Sequence, residues 1–268
     1  MKEHLIVPLL FFFLGVVLYS CSNEEFSPQN ENFVSQEILD KISTLGLSTE
    51  GVIQYEDGFL VEGDIHLTEE ELFSVPSEYR VPQEEQYRTF NLVKSPRTIK
   101  VWVADNLDPE VIEATDIAMQ RYNDEGLELE FVRIDKKGGA DIEVRAALPN
   151  FGALAAAGFP TRTGKPYKYI RVNTRAMNSN ANLLTMASVM AHEIGHCIGF
   201  RHTDWFNRSI SCGGFPANEG EGSIGAVHIP GTPTGADLSS FMLSCIPFSQ
   251  GVDRPFTTAD KVALDYLY

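Results

Sequence analysis

The sequence has no cluster of basic residues. Its 21 lysines and arginines are scattered among 37 acidic side chains, for a formal net charge of −16 over 268 residues. Phosphate backbones are gripped by grouped cations, so a nucleic-acid partner is excluded. Nor is there an apolar run of about 18 residues, the length a membrane-spanning helix needs; "LIVPLLFFFLGVVL" at residues 5–18 falls short of it. No internal repeat is apparent, which sets aside solenoids. What the chain does contain, 43% hydrophobic and 10% aromatic residues, suffices for one sizeable domain with an appendage.

The short apolar run has the length of a signal-peptide core. The adjoining "LYSC" resembles a bacterial lipobox, which implies that residues 1–21 are a lipoprotein signal whose Cys21 is lipidated. An ordinary secretory signal with an incidental Cys21 is the alternative, and both predict export. The lipobox implies a bacterial outer-membrane lipoprotein that meets the membrane only through that anchor. "CSNEE" is similar to signals for display on the cell surface. The remaining cysteines are Cys197, Cys212 and Cys245. An odd number in an oxidising compartment predicts one disulfide and one spare thiol. Cys197 lies in an apolar run, as a small buried hydrophobe would, which favours pairing Cys212 with Cys245.

Charge divides the chain beyond Cys21. Residues 22–96 hold 16 acidic against 4 basic side chains, a balance of −12, whereas residues 97–268 hold 20 against 16, a balance of −4. The acidic stretch is rich in turn residues, as in "SVPSEYRVPQEEQYR", with only short apolar runs such as "GFLV". It reads as a propeptide-like appendage that folds on, or is removed from, the domain at 97–268.

That domain has a mixed α+β pattern. "RTIKVWVAD" alternates like a strand. "LDPEVIEATDIAMQRYNDEG" predicts a helix with Asp108 as N-cap, Pro109 at its first position, and Val111, Ala114, Ala118 and Tyr122 on one face. "LELEFVRI", "ADIEVRAA", "GALAAAGFP" and "KYIRVNT" are further strand candidates. The expected architecture is a twisted sheet of about five strands with helices packed on it.

Three of the six histidines fall within the eleven residues "HEIGHCIGFRH". The surrounding "NLLTMASVMAHEIGHCIGF" is apolar nearly all round, so it predicts a buried helix, in which His192, Glu193 and His196 are anomalous. Burying them costs several kcal/mol unless partners exist. A metal ion would be that partner. His192 and His196 lie one turn apart on one face, and Gly199 lets the chain turn so that His202 returns to the same ion. Three protein ligands leave a position open for water, the mark of a catalytic zinc.

"HEIGHCIGFRH" matches H-E-x-x-H-x-x-G-x-x-H at every fixed position. Residues 97–268 thereby resemble the metzincin clan of zinc peptidases. "HEIGHCIGFRHTDW" looks most like the bacterial HEIGH metallopeptidases, peptidase family M57. The resemblance implies a metzincin fold with an active-site helix, a Met-turn at Met242 in "SSFMLS", and a closing helix in "FTTADKVALDYLY", where Thr257 and Asp260 have capping-box spacing. It implies one catalytic Zn2+ on His192, His196 and His202, with Glu193 as general base, and a protein or peptide substrate paired with the edge strand near residues 154–157. Astacins and serralysins have a tyrosine that assists the oxyanion where Ser244 stands, so either another group assists it here or none does. The irregular stretch 213–240 is the expected wall of the specificity pocket.

Asp204 is either an acceptor that orients His202 or a turn former. Arg201 either pairs with a core carboxylate or is solvated. In the acidic segment, "FLVEGDIHLT" is similar to the FxGD motif of astacin propeptides, with Val61 in place of the phenylalanine. The likeness makes Asp64 a candidate fourth ligand that keeps a zymogen latent, against an ordinary turn at Gly63 and Asp64. The rival function is a lipid-anchored zinc-containing binding or adhesion module without proteolysis. The expected state is a monomer.

Overall fold

In the computed structural model the described residues are 34–74, 86–178, 182–233, 235–248 and 251–268. Residues 1–21, where a lipoprotein signal ending at Cys21 is expected, lie outside them. All belong to the unit Asn32–Tyr268.

The main sheet starts from β5 (Arg97–Val103), whose buried Ile99, Val101 and Val103 alternate with more exposed neighbours. Strands β6 (Leu129–Ile134), β7 (Ile142–Ala146) and β9 (Tyr169–Val172) run parallel to it, and the two-residue β8 (Ala155–Ala156) closes the edge antiparallel to β9. The order is β6-β5-β7-β9-β8. The five expected strands are all present. "GALAAAGFP" forms only β8, because Phe159 turns away into a neighbouring core.

Two helices cover this sheet. α3 (Pro109–Asn123) begins after Asp108 and buries Val111, Ala114, Ala118 and Tyr122. α5 (Leu183–Ile198) is capped by Asn182, whose side chain accepts from Thr185 N, and every residue from Thr185 to Ile198 is buried. The Tyr122 hydroxyl donates to Ala191 O at 2.7 Å, tying one helix to the other. The closing helix α7 (Thr258–Leu267) has the reciprocal Thr257–Asp260 capping box. No helix among the described residues is long and apolar enough to cross a membrane.

The acidic segment is structured where it is described. It comprises α1 (Gln36–Leu45), the antiparallel strands β1 (Ile53–Tyr55), β2 (Gly58–Val61) and β3 (Ile65–Thr68), α2 (Glu69–Ser74) and the two-residue β4 (Tyr87–Arg88), which pairs antiparallel with β10 (Val227–His228) of the main domain. Ile42, Leu45, Phe59, Val61, Ile65 and Leu67 form a second apolar cluster that includes Phe159 of the main domain. Gly46, at φ 79°, ends α1 against the backbone of Gly222; a Cβ there would lie 1.7 Å from Gly222 N. Cys212 and Cys245 form a disulfide with Cα atoms 5.1 Å apart, and Cys197 is a buried free thiol.

Candidate zinc site

α5 presents His192 and His196 one turn apart. Gly195 lies between them, and its lack of a side chain is required: a Cβ there would meet Met242 Sδ at 2.6 Å. Met242 is fully buried and forms an apolar floor beneath the helix. Its carbonyl accepts from Thr203 N at 2.9 Å, and its N–H donates to Ser240 Oγ at 3.1 Å. At Gly199 the chain adopts φ 123°, where a Cβ would strike Leu92 Cδ2 at 2.7 Å. The helix ends there and the chain brings His202 back beside its two predecessors.

The imidazoles meet through Nε2. His196 Nε2 is 3.0 Å from His192 Nε2 and 3.2 Å from His202 Nε2. Each Nδ1 faces an oxygen: Phe241 O at 2.8 Å for His192, Phe200 O at 2.9 Å for His196 and Glu219 Oε1 at 2.7 Å for His202. A carbonyl only accepts, as does an ionised carboxylate, so each Nδ1 carries the hydrogen and neutral rings turn their lone pairs toward one another. Asp64 adds a fourth acceptor, with Oδ2 3.2 Å from His202 Nε2 and 3.6 Å from His192 Nε2. Four lone-pair donors facing one point are mutually repulsive unless a cation lies among them. A tetrahedral zinc with bonds of about 2.0–2.1 Å has ligand–ligand edges of about 3.3–3.4 Å, and these separations match it. The donor set fits zinc.

The electrostatics describe the same need for positive charge. Burial would lower the His202 pKa, but Asp64 and Glu219 outweigh it and raise it well above the ordinary histidine value. Burial would raise the Asp64 carboxyl, yet the neighbouring His202 and His192 outweigh it and hold it well below the usual carboxylate range. His196 is pushed down by burial first and then by the other two rings that flank it.

Glu193 is buried next to this group and makes no bond to it. Burial first and Asp64 second raise its carboxyl well above the ordinary value. No partner among the described residues bonds its Oε2. It borders a cavity of about 430 Å³, also walled by Leu154, Val189, Leu243, Ile246 and Arg254. The stretch 213–240, expected to wall the specificity pocket, contributes nothing to the lining of this cavity; Leu243 to Ile246, after Met242, do, with Cys245 held in the disulfide.

Asp204, one expected acceptor for His202, does not reach it. Its Oδ1 accepts from Ser244 N at 2.9 Å and Ser244 Oγ at 2.8 Å, and its Oδ2 from Ser211 Oγ at 2.5 Å. It is therefore a loop organiser. The Ser244 hydroxyl, where the tyrosine of astacins would stand, faces Asp204 and Glu219. Glu219 occupies the place expected for Asp204, a role that no local motif signalled. Arg201 is buried, with Nη2 3.5 Å from Glu219 Oε2 and 3.6 Å from Glu62 Oε2. Asp260, legible only as a capping residue, accepts from Ser240 Oγ and Phe241 N at 2.7 and 3.3 Å, and so steadies the turn whose carbonyl holds His192.

At the edge strand, Ala157 N donates to Asp64 O at 2.9 Å and His66 N to Ala157 O at 2.6 Å. The acidic segment thus pairs with the edge in parallel, through Ile65 and Ala157.

Residues 59–268 match Peptidase_M57, the dual-action HEIGH metallo-peptidases. The chain belongs to that family and is a zinc metallopeptidase that acts on protein or peptide. A comparison with the curated proteins finds no match. Among solved structures, one titled "Structure of Myroilysin" is similar with a TM-score of 0.40 and 12% identity, over 64% of this chain and 79% of that one. High choriolytic enzyme 1, a hatching enzyme zinc-protease from the medaka fish Oryzias latipes, is similar with a TM-score of 0.38 and 16% identity, over 64% of this chain and 88% of that one.

Proposed function

We propose that the chain is an exported endopeptidase in which His192, His196 and His202 hold the zinc, Glu193 is the general base, and Asp64 keeps the enzyme latent until its segment is removed. The convergence of three Nε2 atoms beside a buried carboxylate that no ligand uses is the observation that carries this reading. Bound zinc supplies Lewis acidity, which makes water acidic near neutral pH and polarises a carbonyl. Glu193 takes the proton of the attacking water and passes it to the departing amine. The cavity that borders Glu193 therefore holds the side chain on the amine side of the cut bond. Its apolar walls and its Arg254 admit long apolar or acidic side chains.

Latency rests on Asp64. Its carboxylate takes the place that water would need, and its backbone occupies Ala157, where an extended substrate would pair. Substrate and segment compete for both. The Cys21 anchor, the outer-membrane location and the monomeric state belong to the same proposal and rest on sequence alone. The test is digestion of casein by the full-length protein and by protein trimmed between residues 80 and 97, each with its metal content measured. Zinc-loaded trimmed protein that leaves casein and an unfolded peptide library intact would overturn the assignment of Glu193. Full-length protein as active as the trimmed form would overturn the latency.

A further inference from the structure

We propose that Glu219 is the positioning residue for the third zinc ligand. It fixes His202 as the Nδ1–H tautomer, aims Nε2 at the metal and strengthens it as a donor. The proposal rests on His202 being a ligand.

The three imidazoles are not held alike. His192 and His196 donate to backbone carbonyls whose places are set by the turn at Phe241 and the helix end at Phe200. His202 lies beyond the helix, where no regular backbone fixes it. It is the one of the three whose Nδ1 meets an ionised side chain, at 2.7 Å. A hydrogen bond to a charged acceptor is about twice as strong as a neutral one, so the least supported ligand has the strongest tether.

Glu219 is itself built in. Its side chain is 0% exposed, and a buried carboxylate is tolerated only when its oxygens are paired. Oε1 meets His202 Nδ1, Ser244 Oγ at 3.2 Å and Arg208 Nε at 3.2 Å, and Oε2 meets Arg201 Nη2 at 3.5 Å. Its own N–H donates to Trp205 O at 2.7 Å, which pins the loop that presents it. The guanidinium groups of Arg201 and Arg208 lie against it and balance its buried charge. Of these partners none comes from the acidic segment. Arg201 also contacts Glu62 of that segment, at 3.6 Å, but Arg208 and Arg201 remain with Glu219 when the segment leaves. The tether therefore serves the activated enzyme as well as the precursor.

Outer-shell carboxylates of this kind raise metal affinity by about 10–100-fold. The experiment is zinc affinity by competition with a chelator, on folded full-length protein checked by circular dichroism. The electronic spectrum of the cobalt-substituted protein is the second readout. Glu219→Ala is expected to weaken zinc about 10–100-fold. Glu219→Gln keeps an acceptor without the charge, recovers part of that loss and shifts the cobalt spectrum. Asp204→Asn lowers thermal stability but leaves affinity and spectrum as they were. If Glu219→Ala does not fold, Glu219→Gln decides by the same two readouts. Unchanged affinity and spectrum in the Glu219 variants, beside a clear loss in His202→Ala, would overturn the proposal alone. A loss in Asp204→Asn equal to that in Glu219→Gln would overturn it too, since general loosening of the loop would then suffice. Undiminished zinc in His202→Ala would remove the ligand and the proposal together.

Discussion

The acidic segment and the main domain are built on opposite terms. The main domain closes its core between the five-stranded sheet and helices α3 and α5; of the segment, only Leu92 and Val93 at its very end join that core, and residues 34–74 add nothing to it. The segment's cluster borrows Phe159 from the main domain and packs against Ile224. A core of that size supplies little stability alone, so the segment folds on the domain rather than beside it. Phe159 also lies edge-on to His196, with ring centroids 5.6 Å apart. One region thus builds its core almost alone and provides the three converging histidines. The other is dependent and provides the fourth acceptor, Asp64.

The largest effect that separates the two regions is expected at Glu193. Glu193→Ala in the trimmed protein should lose at least about 100-fold in kcat/KM while its zinc content is retained, because the base is lost and the ligands are not. Steady-state kinetics with metal analysis checks it, and near-normal turnover would place the base elsewhere. Asp64→Ala is the counterpart in the other region. It should raise the activity of the uncleaved protein about tenfold or more, since a charge-assisted contact is worth about 1.5–3 kcal/mol, and leave the trimmed enzyme as it was. A precursor that stays silent with Asp64→Ala, yet is activated by trimming, would show that the segment inhibits by covering the edge strand.

The contrast between the regions also explains what the sequence made legible. The main domain's strands and helices follow alternation, capping and helical spacing, which are local properties; Asp108, Pro109 and the Thr257–Asp260 box all stand at their expected places. The three histidines proposed as zinc ligands are legible because their spacing is set by one helix and one glycine. Glu219 was not, since it stands 17 positions beyond His202, past a single four-residue helix (Ser209–Cys212) in otherwise irregular chain, and such a pairing has no periodicity to betray it. Asp204 was the nearer candidate in sequence, but its carboxylate is taken by Ser211 and Ser244. The lining of the cavity beside Glu193 was not legible for the same reason: Leu243, Ser244, Cys245 and Ile246 reach it through tertiary packing, which no local pattern announces.

A smaller effect should come from the borrowed core. Ile42 is fully buried in the segment's cluster, and Ile42→Val should cost about 0.5–1.5 kcal/mol. Because the segment folds on the domain, that loss should appear as faster proteolysis of residues 34–74 and some leakage of activity, with the thermal midpoint of the trimmed domain untouched. Equal loss of stability in the trimmed domain would mean that the two cores are one.

The smallest effect concerns the ionic tie at the far end of the segment's docking surface. Glu56, at the turn between β1 and β2, accepts from Arg171 of β9, with Nε 2.9 Å from each carboxylate oxygen. The hydrogen bond from Arg171 holds the Glu56 carboxyl below its ordinary value, against the opposing effect of burial. A depressed carboxyl pKa means that the bound form prefers the charged state. The stabilisation is therefore fully present above the ordinary carboxylate range and is lost as pH falls through the lowered value. Glu56 is partly exposed, which screens the pair, so its contribution should be about 1 kcal/mol or less. Glu56→Gln should weaken docking by that amount at neutral pH and by less at acidic pH, where wild type has lost the same contact. Rates of limited proteolysis of the segment, measured for both proteins at neutral and at acidic pH, check the convergence. A gap between wild type and Glu56→Gln that stays constant down to the lowest pH would show that the contact is a matter of shape rather than charge.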